Sequence, residues 1–337
     1  MAYCRACGAE HPADVSSCPA LGTSTRDGPC GASIGRYEIE RLLGGGGMGT
    51  VYRARRQPGG EAVAIKLLKP ELPDRDDALE RFVREANAAS AMRSPHLVQT
   101  WECSIAPDGT AYLVMELLEG RGLQAALEAE RVLSPARAVA LTMEVLEGLR
   151  VAHAHGVVHR DMKPGNVFLR RMEGGGEQAV VLDFGTSKLL FEQRSSPLTP
   201  AGTTLETPYY MSPEQVFTPA QIDHRVDLYG TAVMLYQMLS GALPFEGTTI
   251  PEVLMKACSG APVPLRSRVP SLPEALVDVV MKAMARSADA RYQRAEDFID
   301  ALSALRLDGL PGSDPRTVRP RSEAESEEPA TVRIERA

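Results

Sequence analysis

Long apolar runs are missing from this sequence. No stretch approaches the length a membrane span needs, about 18 residues. No basic-then-apolar leader opens the chain either, so it is expected to stay in the cytoplasm. A basic excess is also lacking: 37 Lys and Arg stand against 44 Asp and Glu, a net charge of −7. Aromatics make up only 5% and include a single Trp, so nothing interleaves rings with arginines. Together these shortages argue against nucleic acid or an anionic membrane surface as the main partner. Cysteine is sparse beyond residue 30, where only the isolated Cys103 and Cys258 occur. Those two read as ordinary buried thiols. The four others, Cys4, Cys7, Cys18 and Cys30, cluster near the start, and in a leaderless chain they read as metal ligands rather than disulfides.

What remains is an ordinary globular composition, 44% hydrophobic and 24% charged over 337 residues, enough to bury one large core or two smaller ones. Three regions separate. Residues 1–35 are rich in Cys, Gly, Ser and Pro without helical or strand period. Residues 36–305 alternate strand-like and helix-like runs. Residues 306–337 hold Pro, Arg, Glu, Ser and Thr without an aromatic and read as a disordered tail. The tail repeats Thr-Val-Arg at 317–319 and 331–333, which reads either as a docking site for a partner or as plain solvated chain.

In the middle region the strand signals come first. Tyr37–Leu43, Thr50–Ala54, Ala62–Leu68 and Ala111–Glu116 are short β-branched or aromatic runs bounded by Gly, Pro or Asp. Between the last two, Ala78–Met92 places Leu79, Phe82 and Val83 at helical spacing. Helical signals then take over. Ser134-Pro135 is an N-cap followed by proline at the first helical position, and Leu141, Val145, Leu149 and Ala152 continue it as one apolar stripe. Residues 227–240 are apolar nearly all round, as in a buried helix, and Gly241 stops them. A β-rich half (about 36–117) followed by an α-rich half (about 118–305) makes an α+β, two-lobed body whose cleft is the natural binding site.

Chemistry enters at Leu43-Gly44-Gly45-Gly46-Gly47-Met48-Gly49-Thr50-Val51, a G-x-G-x-x-G-x-V run between two strands. Glycines there let a hairpin backbone approach phosphates with its N–H groups turned toward the anion. A dinucleotide-binding reading requires a helix after the third glycine, whereas Val51-Tyr52 reads as strand. Lys66 ends the apolar run Val63-Ala64-Ile65 and is a candidate to neutralise α- and β-phosphates, with Glu85 as the carboxylate that pairs with it. The alternatives are an exposed strand end for Lys66 and a solvated helix residue for Glu85. Further on come His159-Arg160-Asp161-Met162-Lys163-Pro164-Gly165-Asn166 and Asp183-Phe184-Gly185, then Ser212-Pro213-Glu214.

In content and order these motifs resemble the eukaryotic-type protein kinase family, and Gly46-Gly47-Met48-Gly49 and Met211-Ser212-Pro213-Glu214-Gln215 are similar to its bacterial Ser/Thr branch. The resemblance covers residues 37 to about 303. It implies the two-lobed kinase fold and transfer of the γ-phosphoryl group of ATP to Ser or Thr of protein substrates. Phosphoryl transfer demands positioning and charge neutralisation. By resemblance, Asp161 orients the acceptor hydroxyl and Lys163 neutralises charge on the transferred group. Asn166 and Asp183 are the oxygen ligands for Mg²⁺ or Mn²⁺. Met115 falls at the gatekeeper position, and Glu116 and Leu118 meet adenine through their backbone. Phe184 and His159 resemble the stacked residues linking the lobes, Glu214 and Arg291 the buried ion pair, and Asp227 the brace of the catalytic loop. Lys163 and Thr207-Pro208 match Ser/Thr-directed members.

The same resemblance makes 183–214 an activation segment, with Ser195, Ser196, Thr199, Thr203 and Thr204 as hydroxyls and Arg160 placed to pair with a phosphate added there. Autophosphorylation at Thr199, Thr203 or Thr204 is expected, through a transient homodimer; the plain reading is a polar loop. Three positions depart from the pattern: Glu206 replaces a glycine, Ala232 replaces another, and Gly122 offers no acid to the ribose. None belongs to the transfer set. A catalytically silent scaffold would have lost one of Lys66, Asp161, Asn166 or Asp183, and all four are present.

Cys4-Arg5-Ala6-Cys7-Gly8 looks like one knuckle of a zinc ribbon. The second knuckle is incomplete, reading Cys18-Pro19-Ala20-Leu21-Gly22. Cys30 is the expected fourth ligand, with His11 as the alternative, and a metal-free extension is the competing reading. Docking or regulation, not catalysis, is the role such a structural zinc implies, because catalytic zinc needs an open position.

Overall fold

A computed structural model of the chain describes residues 2–4, 6–11, 18, 28–45, 49–68, 90–107, 109–184, 208–217 and 222–306. They fall into two compact units, one built from Met1–Ala91 with Gln99–Leu118, the other from Met92–Val98 with Glu119–Arg321. The connection expected near 117–122 lies at this division. The helix expected over Ala78–Met92 lies, up to residue 89, outside the described residues, as do Glu85, Gly46, Gly47, Met48, Thr199, Thr203, Thr204, Thr207 and the tail after 306.

In the first unit, β1 (Ala2–Tyr3) and β2 (Glu10–His11) form a two-stranded ribbon. A six-stranded antiparallel sheet follows, made of β3 (Ser33–Ile34), β4 (Tyr37–Gly45), β5 (Gly49–Arg56), β6 (Ala62–Leu68), β7 (Thr100–Ile105) and β8 (Ala111–Glu116), in the order β3-β4-β5-β6-β8-β7. Alternation puts Tyr37 and Ile39 of β4 inward, where they pack with Tyr52, Ala54, Val63, Ile65 and Val114 as one core. The four strands read from the sequence are all present. β7 was not read, because a bulge between Thr100 and Glu102 breaks its alternation and leaves Trp101 and Ile105 exposed.

The second unit opens with β9 (Gly120–Gly122), α1 (Leu123–Glu130) and α2 (Pro135–Ala154). Ser134 caps α2 as its spacing predicts: its hydroxyl accepts the Arg137 N–H, and Pro135 holds the first helical position. β10 (Val167–Arg171) and β11 (Glu177–Val181) then form a hairpin, and β9 pairs with the other edge of β10. Five more helices follow: α3 (Pro213–Phe217), α4 (Arg225–Ser240), α5 (Ile250–Ser259), α6 (Leu265–Arg268) and α7 (Glu274–Ala283). The last described helix is α8 (Ala295–Ser303). α4 is buried without a break from Val226 to Tyr236, as its all-round apolar sequence predicts, and Gly241 caps it in the left-handed conformation. It packs on α2 and α7 at the centre of this unit. Among the described residues no helix is long and apolar enough to cross a membrane.

Candidate active site

The β10–β11 hairpin explains how distant sequence motifs come together. Val167 pairs with Val181, and the Leu182 N–H donates to the Asn166 carbonyl at 2.9 Å. Asn166, immediately before β10, and Asp183, two residues after β11, are therefore tied to one end of the same hairpin. Asp183 itself has a positive φ of 61°, a conformation sparsely used by residues with a side chain.

Ahead of this hairpin runs the loop His159–Asn166, closed by the short turn Pro164–Asn166. The Asp161 carboxylate is gripped from two sides. Lys163 Nζ lies 3.0 Å from Asp161 Oδ2, and Asn166 Nδ2 donates to the same oxygen at 3.1 Å. Asn166 Nδ2 also donates to the Asp161 carbonyl at 2.6 Å. With its side-chain nitrogen committed to Asp161, Asn166 keeps its side-chain oxygen Oδ1 for another donor or a cation. Neutral amide and carboxylate oxygens are the ligand set a hard divalent cation prefers, so Asn166 and Asp183 fit Mg²⁺ or Mn²⁺.

The loop is held from behind by α4. Asp227 Oδ2 accepts the His159 N–H at 2.8 Å, and Oδ1 accepts the Arg160 N–H at 2.7 Å. His153 Nε2, at the end of α2, stands 2.8 Å from Asp227 Oδ2. Burial pushes the Asp227 carboxyl up, but the His153 contact and the loop N–H groups outweigh it and hold the group below the usual carboxylate range. His159 is fully buried, its Nε2 2.8 Å from the Leu182 carbonyl and its ring edge-on to Phe184 at 4.8 Å. Gln215 Nε2 reaches the Arg160 carbonyl at 2.8 Å. Arg160 is thus fixed at both backbone polar groups with φ at 68°. Its Nε is buried with no hydrogen-bond partner among the described residues.

Below the loop, Arg291 donates to both carboxylate oxygens of Glu214, at 2.6 and 2.8 Å. Burial opposes the Glu214 charge, yet the guanidinium holds its carboxyl below the ordinary range. The sequence reading named this pair and the Asp227 brace, but not His153 or Gln215. The bacterial-type run Met211–Gln215 already contained the second of these.

In the first unit, the described part of the glycine run closes the pairing of β4 with β5, with Gly44 opposite Val51 and Gly45 opposite Thr50. Leu43 lies on β4 at the bulge between Leu42 and Gly44. Lys66 is buried on β6, opposite Val51 of β5 and Leu113 of β8, which argues against an exposed strand end. Met115 is buried on β8; Glu116 ends that strand, and its Oε1 accepts the Gln99 N–H at 2.8 Å. Leu118 lies at the end of this unit.

The cysteines depart from expectation. The ligand atoms of Cys4, Cys7, His11 and Cys18 lie within 4.8 Å of one another, and Cys30 is outside the group. Register is the reason. The β1–β2 ribbon pairs Ala2 with His11 and so folds His11 back beside the first knuckle. Cys30 is instead drawn into the strand core with Tyr37, Ile39 and Tyr52, where burial pushes its thiol up to about 11. Burial likewise pushes the thiol of Cys103, which is half-buried rather than buried, up to about 12 and raises that of the buried Cys258.

In the second unit a braced Asp161 thus has Lys163 two residues on, with Asn166 and Asp183 flanking the β10–β11 hairpin. In the first unit the glycine run precedes β5, which pairs with the strand carrying the buried Lys66. Comparison with known proteins identifies the family. The family model described as "Protein kinase domain" matches residues 37–302, and the chain belongs to that family. It is 40% identical over 272 residues to the serine/threonine-protein kinase pkn2 of Myxococcus xanthus, covering 80% of this chain and 32% of that protein. It is 34% identical to PknH of Mycobacterium bovis, covering 93% of this chain and 50% of that protein. The chain therefore spans about a third to a half of the length of these relatives. Among solved structures, the PknI kinase domain of Mycobacterium tuberculosis matches with a TM-score of 0.64 at 25% identity, over 81% of this chain and 97% of that one. The architecture is accordingly the kinase fold, a β-sheet N-lobe followed by a helical C-lobe, with a Cys/His cluster near the start.

Proposed function

We propose that this chain transfers the γ-phosphoryl group of ATP to Ser and Thr hydroxyls of protein substrates. The observation that carries the reading is the Asp161 carboxylate held between Lys163 and Asn166, on a loop fastened by Asp227. Asp161 accepts the acceptor hydroxyl's hydrogen bond and aims its oxygen for in-line attack. The hydroxyl proton passes to solvent or phosphate as the new P–O bond forms and the bond to the departing ADP oxygen breaks. Lys163 turns from Asp161 toward the transferred group, where negative charge accumulates. Lys66 neutralises the non-transferred phosphates, and the backbone of residues 43–51 covers them. Leu118 and Glu116 offer backbone groups to the adenine. Asn166 and Asp183 would hold Mg²⁺ or Mn²⁺, which supplies neutralisation of phosphate charge when bound.

Phosphorylation of the segment around Thr199, Thr203 and Thr204 belongs to the same reading. Its support is Arg160, whose buried Nε has no hydrogen-bond partner among the described residues. Modification in trans implies a transient homodimer. The reaction belongs in the cytoplasm, where ATP and protein substrates meet; the N-terminal ribbon and the tail remain candidate docking segments for partners. Cys4, Cys7, His11 and Cys18 are the residues that would hold a structural Zn²⁺.

Incubation with γ-labelled ATP, Mg²⁺ and a generic basic protein tests the assignment. Label is expected in phosphoserine and phosphothreonine, with acceptors inside 183–214 identified by mass spectrometry. Label confined to tyrosine contradicts the acceptor class, and an unmodified segment in an active enzyme contradicts the autophosphorylation.

A further inference from the structure

The Cys4, Cys7, His11 and Cys18 group is bound to the very strand that leads into the glycine hairpin. We propose that these four residues chelate one zinc ion and that the chelate clamps the N-terminal ribbon onto β4, so that metal occupancy controls the hairpin's grip on nucleotide. The metal assignment stands on its own geometry; the control of nucleotide binding rests on the kinase reading above.

The donor set suits zinc. Three thiolates and one imidazole are soft to borderline ligands, a poor match for Mg²⁺ or Ca²⁺ and a regular one for tetrahedral zinc. Zn–S bonds of about 2.3 Å put neighbouring ligand atoms about 3.8 Å apart in a tetrahedron. His11 Nε2 lies 3.2 Å from Cys7 Sγ and 3.8 Å from Cys18 Sγ, and all four atoms fall within 4.8 Å. The knuckle is already turned: the Gly8 N–H donates to the Cys4 carbonyl at 2.8 Å, and the Cys4 N–H to the Ala9 carbonyl at 2.9 Å. The three cysteines are buried, and four protein ligands leave no open position, so the centre is structural.

The clamp is visible in three contacts on β4. The Leu42 N–H donates to the Cys7 carbonyl at 2.8 Å, so a metal ligand's own peptide satisfies the outer edge of β4. The Leu42 side chain packs against Cys4, Ala6, Cys7 and Cys18 as well as against the strand core. Gly8, at φ 80°, approaches so closely that a Cβ there would sit 2.4 Å from the Glu40 carbonyl oxygen. Leu42 is also where β4 bulges, and two residues later Gly44 and Gly45 pair with Val51 and Thr50 to form the base of the hairpin. Without metal, a pair of two-residue strands cannot hold this ribbon together, because so few bonds do not repay the ordering entropy. Leu42 then loses both its edge partner and its packing surface, next to the bulge that sets the hairpin's register.

The test uses the full chain. Zinc content is measured on wild type and on Cys7→Ser, His11→Ala and Cys30→Ser. One zinc per chain in wild type and Cys30→Ser, with loss in the other two, is the expected pattern. No stoichiometric zinc, retention in His11→Ala, or loss in Cys30→Ser overturns the ligand set. MgATP affinity and amide exchange at Leu42 are then measured before chelation, after it, and after zinc is restored. The dissociation constant should rise reversibly by roughly fivefold, the size of one lost backbone hydrogen bond, while Leu42 exchange accelerates. Unchanged affinity after verified zinc removal overturns the clamp. Gly8→Ala guards against simple misfolding, since it keeps every ligand yet forces the ribbon off Glu40. It should hold zinc and still bind MgATP more weakly; wild-type affinity there also overturns the clamp. Failure of the kinase reading looks different, because it abolishes transfer at saturating MgATP with zinc in place.

Discussion

Asp227 reaches across 67 residues of sequence to take the backbone N–H of Arg160 at 2.7 Å. This bond, with its twin to His159, holds the loop that carries Asp161 to the buried helix α4. Replacing Asp227 by Ala leaves two loop N–H groups and His153 without their acceptor. A loss of about 3 kcal/mol of stability is expected from the unmet donors. Transfer activity should fall about 10²-fold through loop displacement alone. Denaturant unfolding and kcat of the purified variant check both.

The same carboxylate sets an acid limit. Asp227 and Glu214 are both held below the ordinary carboxylate range, by His153 with the loop N–H groups and by Arg291 respectively, against the opposing effect of burial. Their stabilisation is fully present above their unfolded values near pH 4 and disappears as pH falls through the lower folded values. Stability plotted against pH should therefore drop steeply below about pH 4. Asp227→Asn should flatten that drop, as measured by urea titration at successive pH values.

Arg291 and Glu214 make a second buried pair, with the Arg291 side chain fully enclosed and also donating to the Ala285 carbonyl at 2.7 Å. Glu214→Ala strands that guanidinium and should cost about 3–5 kcal/mol. Arg291→Lys should also lose stability, because a point ammonium cannot reproduce the two-pronged contact. Thermal unfolding of the two variants reads this out.

Gly230 sits inside α4, where exchange to Ala ordinarily stabilises a helix by about 1 kcal/mol. Here a Cβ would stand 2.9 Å from the Met162 carbonyl oxygen and 3.0 Å from Met162 Cβ, one residue from Asp161. The clash should win. Gly230→Ala is expected to keep its fold while kcat falls about tenfold or more, with MgATP affinity unchanged. Steady-state kinetics separate the two parameters.

Much of this arrangement was legible because kinase chemistry is written in short contiguous stretches. His159–Asn166 and Asp183-Phe184 sit on loops whose roles are those the family resemblance implies. Ser134-Pro135 and Gly241 announced the ends of α2 and α4 by capping chemistry alone. β9, with three residues reading Gly-Arg-Gly, carries no apolar period and exists only because β10 offers it an edge. His153 was illegible for a different reason: its partner Asp227 lies 74 residues away, and a histidine late in a helix has no local mark of that contact. Ribbon spacing favours a cysteine, and so Cys30 over His11, as the fourth ligand. The Ala2–His11 register that returns it to the knuckle appears only in three dimensions.

Asp161, held by Lys163 and Asn166 while Asp227 fixes its loop, is the residue on which the proposed transfer depends. The most direct measurement is transfer from γ-labelled ATP to a generic basic protein by wild type and Asp161→Asn, with MgATP binding measured on both. Wild type should phosphorylate Ser and Thr, while Asp161→Asn binds MgATP normally and loses at least about 10²-fold in transfer. Equal transfer by the two proteins would contradict the central role of Asp161.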